Sequence, residues 1–455
     1  ASGVHASSPL APARPPSLWN FSVKAAHYSA VVRQLVEDGL VASRTVLYDL
    51  DAIDTAFQAL VAPFPSHFEH RFTVASCPLA FFLRRAIEND VGLTCTSIVE
   101  VQHALRLGCA PHKIVFNSPY KSPHDIAYAI NASVEVNADS FDELELIRTH
   151  AQQRFQSNFP ECTPRYAGEL PRIGVRVHAC AHEGAAAVGI PLTKANRARL
   201  VQAFVDNPWI SGLQATTCAG GCGGNSDDPM RQLAHGAAVV CDLANEIDAV
   251  VGEDRVQVLH IGGRLAANFD SDDVVPSLSE CVEALRADAP KVLERNGRSV
   301  VTEFGQYVSA KVGWTIFQVE HVEDVAPSSD ASTTTTAVVH AGADLFATLA
   351  SDGRFQHRLS LFKSDGLSST ADVAPQQLVC FDSDRGVATR PVTTLPRMMR
   401  GDLVVLHDTG ANAMVQGLGC APAPPVYGYR KHEDVLKMVL LKPAETPEQV
   451  MQAWG

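Results

Sequence analysis

The amino-acid sequence predicts an α/β protein in which a parallel (β/α)8 barrel is followed by an antiparallel β-domain. Between about residues 70 and 304, eight short apolar runs alternate with amphipathic helical stretches, a spacing that suits a closed barrel better than an open sheet. After residue 305 the texture changes to short β-rich runs separated by loops such as APSSDASTTTT. No internal repeat is evident. The expected organisation is an extended tail over residues 1–24, a lead-in over 25–48 that belongs to the β-domain, the barrel over 49–304, the β-domain over 305–442 and a terminal tail over 443–455.

The barrel strands are expected at RFTVAS (71–76), GLTCT (92–96), HKIVFNS (112–118), VEVNA (134–138), RIGVRVHA (172–179), ISGLQATT (210–217), VQVLHIGG (256–263) and RSVVTE (298–303). In the first, Phe72 and Val74 alternate with polar residues. Pro78 then opens an amphipathic helix with Phe82, Leu83 and Ala86 on its buried side. Ser140 and Glu143 form an S-x-x-E capping box that opens the helical run DELELIRTHAQQ. Asp228-Pro229 starts a helix with Leu233, Ala237, Val240, Ala244 and Ile247 on one face. In the second domain YVSAKVGWTIFQVEHV, TAVVHAG, QQLVCF, GDLVVLHD and VYGYR read as strands. The early stretch SRTVLYDLDAI either closes that domain or leads into the barrel.

Composition excludes several classes of function. Hydrophobic residues make up 46% and charged residues 19%, as in an ordinary globular protein. A net charge of −13 argues against nucleic-acid binding, which needs a basic face. No apolar run reaches the roughly 18 residues of a transmembrane helix. The 11 cysteines lack framework spacing and read as buried free thiols of a reducing compartment. Cys218 and Cys222, in CAGGCGG, have no second pair or histidine cluster at ligand spacing, so that stretch reads as a glycine-rich turn and no metal is expected. The chain starts ASGVHASS without methionine, which reads as a mature end left by a removed targeting peptide. A mitochondrial location is expected, with plastid or cytoplasm as alternatives. The first 24 residues have a linker's composition and are expected to be held by a neighbouring protein.

The order of motifs resembles that of the fold type III pyridoxal-phosphate decarboxylases, the ornithine, arginine and diaminopimelate decarboxylase group. FTVAS followed by GLTCTSIVEVQHALRLG is similar to that family's cofactor strand and its FDVAS-like segment. HKIVFNSPYKS, VLHIGGRL, TEFGQY, VCFDSDR and GDLVVLHDTGAN resemble five further family motifs, in order, from about residue 45 to 430. The resemblance implies an alanine racemase/decarboxylase-like barrel with its site at the barrel mouth.

Residue by residue, however, the family's site is altered. Its Schiff-base lysine falls on Ala75, and no lysine occurs between Lys24 and Lys113. The ring-stacking histidine falls on Thr216 and a phosphate-binding serine on Ala219. Arg264 takes the third glycine of the phosphate loop, after Gly262 and Gly263. The arginine of EPGR is Gln306 and its proline is Phe304. A phosphate-contacting tyrosine is Asn412, a substrate-holding aspartate is Phe381, and the aspartate of the FDVAS-like segment is Thr94. Retained are Glu303, which in the family pairs with the pyridine nitrogen, and Cys380, together with Gly262, Gly263, Gly305, Lys121 and Asp384. Read without the resemblance, Glu303 is a solvated or salt-bridged carboxylate, Cys380 a buried thiol, and Lys121 a side chain that points to solvent.

These losses lead to the expectation of a chain without pyridoxal phosphate: a non-catalytic pseudoenzyme serving as a structural subunit of a larger assembly, such as a mitochondrial ATP synthase or respiratory complex. Two alternatives are an antizyme-inhibitor-like regulator of polyamine metabolism, and an enzyme with a remodelled barrel-mouth site lined by Thr216, His260, Arg264, Glu303 and Cys380. The family's dimer is open, because its shared sites are altered.

Overall fold

The structure, a computed structural model, describes residues 24–158, 171–178, 188–216 and 228–452, except residues 253, 264, 266, 270, 295, 326–333, 341–356, 370–372, 383–385, 390–392, 412–421 and 433–434. A helix at Lys24–Glu37 leads into strand β1 (Arg44–Asp49), and a second helix, Leu50–Val61, follows at once. The Asp49 side chain starts this helix by accepting hydrogen bonds from the backbone N–H groups of Asp51 and Ala52. The chain then enters β2 (Phe68–Thr73), β3 (Gly92–Cys95), β4 (Ile114–Phe116), β5 (Glu135–Ala138), β6 (Ile173–His178), the two-residue β7 (Ile190–Pro191), β8 (Ile210–Thr216), β9 (Val258–Gly262) and β10 (Ser299–Phe304). Parallel pairing runs β5-β4-β3-β2-β10-β9-β8-β6, and β6 returns to β5, so eight strands close into a barrel with β7 outside it. The expected eight-stranded parallel barrel is observed.

The helices between the strands behave as their sequences dictate. Phe82, Leu83 and Ala86 are buried in helix Ala80–Glu88, where Phe82 packs against Phe57 and Phe72. The long helix Pro229–Val251 is started by the Asp228 side chain and buries Leu233, Ala237, Val240, Ala244 and Ile247. At Ser140 the cap is only half of the expected box. Ser140 accepts from the backbone N–H of Glu143, but the Glu143 carboxylate turns to the backbone N–H of Asp139 and to Lys121.

Beyond the barrel lie β11 (Gly313–Val325), β12 (Thr334–His340), β13 (Leu359–Phe362), β14 (Val373–Asp382), β15 (Gly386–Thr389), β16 (Thr393–Pro396), β17 (Leu403–Leu406), β18 (Val426–His432) and β19 (Val435–Lys442). They form a second, separate sheet to which β1 is added, antiparallel to β11 and parallel to β18. The sheet is antiparallel except at β1–β18 and at β12–β14, which are parallel. Two apolar clusters lie in this domain, one around Phe317, Val339 and Leu378 and one around Trp314, Leu47 and Val31.

The bore face carries polar residues, among them Arg71, Glu135, Gln214, His260 and Glu303, interspersed with Val115, Val258 and Val301, and the face toward the helices is mostly apolar apart from the hydrogen-bonded pair His70 and Thr302. On β2, Phe72 meets Phe57 and Phe82 of the surrounding helices, while Arg71 reaches Glu135 on β5. Strands β2 and β5 are not neighbours, so that contact crosses the bore. A packed barrel interior is normally filled with branched apolar side chains. Here glycines make room for polar ones: a Cβ on Gly92 would lie 2.6 Å from an Arg71 guanidinium nitrogen, and one on Gly174 would overlap the Asn137 carboxamide.

Candidate functional site at the barrel mouth

The site is built on a ladder of alternating charges that runs through the bore. At its outer end Arg172 donates to Glu69, whose carboxylate also accepts from Arg71. Arg71, 1% exposed, donates to Glu135. Glu135 in turn meets Nε2 of His260 at 2.5 Å, and the other ring nitrogen, Nδ1, lies 3.1 Å from Glu303 Oε1. Glu303 Oε2 accepts from Gln214 Nε2 at 2.8 Å and from Asn117 Nδ2 at 3.3 Å. The residues come from β2, β5, β8, β9 and β10 and from the position just after β4, and Arg172 just precedes β6.

The protonation state of His260 follows from this geometry. Both ring nitrogens face carboxylate oxygens, and only the doubly protonated imidazolium can donate to both. Burial by itself would lower the His260 pKa, but Glu135 and then Glu303 more than reverse this and hold it at about 9. Burial likewise works against the Glu135 charge, and His260, Arg71 and Arg172 overcome it and bring the carboxyl down to about 2. The bore thus contains a compensated chain of charges rather than one isolated ion.

The expected site positions divide in three groups. Ala75 lies in the 3-10 turn Val74–Ser76 at the end of β2. That turn abuts Gly305: a Cβ there would lie 2.2 Å from Ser76 Oγ, and Thr73 Oγ1 donates to the Glu303 carbonyl at 3.4 Å. Ala75 and Glu303 are therefore at the same end of the barrel. Gly262 has a φ of +79°, and a Cβ on Gly263 would lie 2.0 Å from the Glu303 carbonyl oxygen, so the chain needs glycine at both places. Thr216 ends β8, Gln306 starts the short helix Gln306–Ser309, Phe304 is fully buried, and Thr94 is buried on β3. Ala219, Arg264, Asn412 and Asp384 lie outside the described residues, as do Cys218 and Cys222. For Cys380 and Phe381 only the backbone is described, in β14, with Cys380 opposite Val339 and Ala388.

Lys121 corrects its expectation. It does not point to solvent: it is 2% exposed, and its ammonium donates to the Ser118 and Asn137 carbonyls and to Glu143. Of the two readings of Glu303 the salt-bridged one holds and the solvated one does not, since its side chain is 8% exposed and bonded to His260, Gln214 and Asn117. Sequence reasoning placed His260 at a remodelled mouth but missed Arg71, Glu135, Gln214 and Asn117. The available signal was the period-two placement of Glu69 and Arg71 on β2, and of Glu135 and Asn137 on β5.

Residues 50–206 match the sequence model of a family described as "Pyridoxal-dependent decarboxylase, pyridoxal binding domain". Protein TabA of Pseudomonas amygdali pv. tabaci is 24% identical over 379 residues, 82% of this chain and 81% of its own length. A diaminopimelate decarboxylase of Campylobacter jejuni is 23% identical over 370 residues, 80% of this chain and 85% of that relative. Among solved structures, the diaminopimelate decarboxylase of M. jannaschii in complex with L-lysine superimposes with a TM-score of 0.74 at 16% identity, covering 92% of this chain and 93% of that one. The Helicobacter pylori diaminopimelate decarboxylase complexed with L-lysine gives 0.71 at 18% identity, covering 91% and 97%. Residues 50–206 thus match the pyridoxal binding domain of the decarboxylase family, and the chain as a whole has the fold of the fold type III pyridoxal-phosphate decarboxylases.

These findings overturn the expectation that the chain has no cofactor. The matched segment is the family's pyridoxal binding domain and the structural neighbours are decarboxylases of that family, so pyridoxal phosphate is the cofactor to which this barrel points. The described residues fit one side of it. Glu303 has three hydrogen bonds to its carboxylate, which leaves one of about four acceptor positions for a ring N–H. Asn117 Oδ1 and Thr94 Oγ1 are buried and have no partner among the described residues, as expected where a bound group completes a site. At the place that the resemblance gives to the Schiff-base lysine stands Ala75, which has no amine. The two buried lysines among the described residues are both engaged: Lys121 as above, and Lys311 by the Ser271 carbonyl and Asp408.

Proposed function

We propose that the chain is a decarboxylase-like protein that does not perform the family's lysine-dependent reaction and holds pyridoxal phosphate without a covalent bond. When bound, the cofactor supplies an electron sink. The chain's own residues accept its ring N–H at Glu303, keep the bore polar and charge-compensated through His260, and close the end of β2 with Ala75. The single observation behind the reading is Ala75 at the mouth, at the same end of the barrel as a retained, hydrogen-bonded Glu303. Incubation of the protein with pyridoxal phosphate, followed by borohydride and peptide mass analysis, is expected to give no cofactor adduct on the barrel. Amino-acid decarboxylation above the uncatalysed rate, or a stoichiometric adduct, would refute it.

The finer expectation, a non-catalytic subunit of a larger protein assembly, is part of the same proposal and has its own test. Comigration with a large complex at fixed stoichiometry on a native gel of source material supports it. Migration at the mass of one or two chains of 48.8 kDa rejects it.

A further inference from the structure

The carboxylate at the mouth is oriented from inside the barrel. Its partner on β9, His260, is 0% exposed and is itself fixed from the opposite wall by Glu135, which Arg71 holds from β2. The groups that face the imidazole are Glu135 from β5 and Glu303 from β10, with Arg71 and Arg172 behind Glu135. Gln214 on β8 completes the support, donating to Glu303 Oε2 while its own carbonyl accepts from Asn137. Without the imidazolium, Glu303 would keep only the two neutral amide donors on Oε2, and Oε1 would be free to turn away from the bore.

We propose that His260 is a positioning residue which, anchored by Glu135 and Arg71, aims the Glu303 carboxylate at the ring nitrogen of pyridoxal phosphate and supplies its counter-charge. The sequence resemblance assigns His260 no role: on VLHIGGRL it carries over only Gly262, Gly263 and the altered Arg264. Both ring nitrogens of His260 are taken by Glu135 and Glu303, so its effect passes through Glu303. The inference rests on the cofactor reading above for its ligand, but the His260–Glu303 coupling stands on geometry alone.

The test uses the full chain and separates these two parts. Selectively labelled histidine is followed by NMR between about pH 6 and 10 in the wild type and in the Glu303→Gln and Glu135→Gln variants. The His260 signal is expected to stay in its imidazolium state to about pH 8 in the wild type, and to lose its proton at least about one pH unit lower in each variant. A His260 ring that is neutral at about pH 8, or unmoved by Glu303→Gln, overturns the positioning role. Pyridoxal phosphate affinity is then measured by absorbance titration. The His260→Asn variant is expected to bind about tenfold more weakly, a change of about 1.4 kcal/mol. Affinity for the analogue with C–H in place of the ring nitrogen is expected to stay unchanged. Equal losses for both ligands, or no loss for either, overturn the proposal. If the wild type binds neither, the cofactor reading fails while the histidine titration still decides the coupling. His260→Gln, which retains one N–H donor, replaces His260→Asn if the latter does not fold.

Discussion

Replacing His260 with leucine removes the cation that stands between Glu135 and Glu303 in the bore. Glu135 and Glu303 side chains are 2% and 8% exposed, so neither gains water in exchange. Two routes give the size of the effect. Breaking a buried ion pair by removing one partner costs about 3–5 kcal/mol. The rise of the His260 pKa from 6.5 to about 9, at about 1.4 kcal/mol per unit, corresponds to roughly 3 kcal/mol of preference for the charged ring. We therefore expect His260→Leu to lower the apparent unfolding free energy by roughly 3 kcal/mol near pH 6, measured by urea denaturation. The pH dependence has a definite sign. Because the folded-state pKa lies above the unfolded value of 6.5, the contribution is complete below about pH 6.5 and is lost as pH rises through about 9. The difference between wild type and variant should shrink accordingly between about pH 6 and 10. A loss below about 1 kcal/mol, or a difference independent of pH, would refute the charge-ladder account.

Three further outcomes follow from the same geometry. Gly263→Ala would put a methyl group 2.0 Å from the Glu303 carbonyl oxygen and should cost about 1–3 kcal/mol or more in thermal denaturation. Lys121→Ala would leave Glu143 buried without its cation and the Ser118 and Asn137 carbonyls without their donor. Its expected cost is about 3 kcal/mol, read from the urea midpoint, and a neutral result would mean that Lys121 is solvated after all. Ala75→Lys returns an amine to the end of β2, and borohydride reduction with pyridoxal phosphate should then label residue 75 in the variant alone, as peptide mass analysis would show.

The barrel was legible because each strand has a short apolar run and each helix a readable start, as at Asp228-Pro229. The bore was not. Parallel strands buried on both faces usually read as continuous apolar runs, and the charged positions Glu69, Arg71 and Glu135 are identical in sequence to solvent-facing ones. Their partners lie across the barrel, at separations such as the 64 residues between Arg71 and Glu135, where local pattern has no reach. Lys121 failed for the same reason: its acceptors Asn137 and Glu143 belong to the next βα unit. The cofactor expectation failed differently. Single site positions differ from the family's, whereas the pyridoxal binding domain as a whole is still recognisable over residues 50–206. Glu303 could be found by resemblance alone, but its bonds to His260, Gln214 and Asn117 needed coordinates.

The central claim is a pyridoxal-phosphate barrel without its lysine-dependent chemistry. It is tested most directly by offering the purified chain diaminopimelate, ornithine and arginine in turn, with saturating pyridoxal phosphate, and measuring released carbon dioxide. The account predicts release at the uncatalysed rate for all three. Turnover with any of them, abolished by Glu303→Ala, would contradict it.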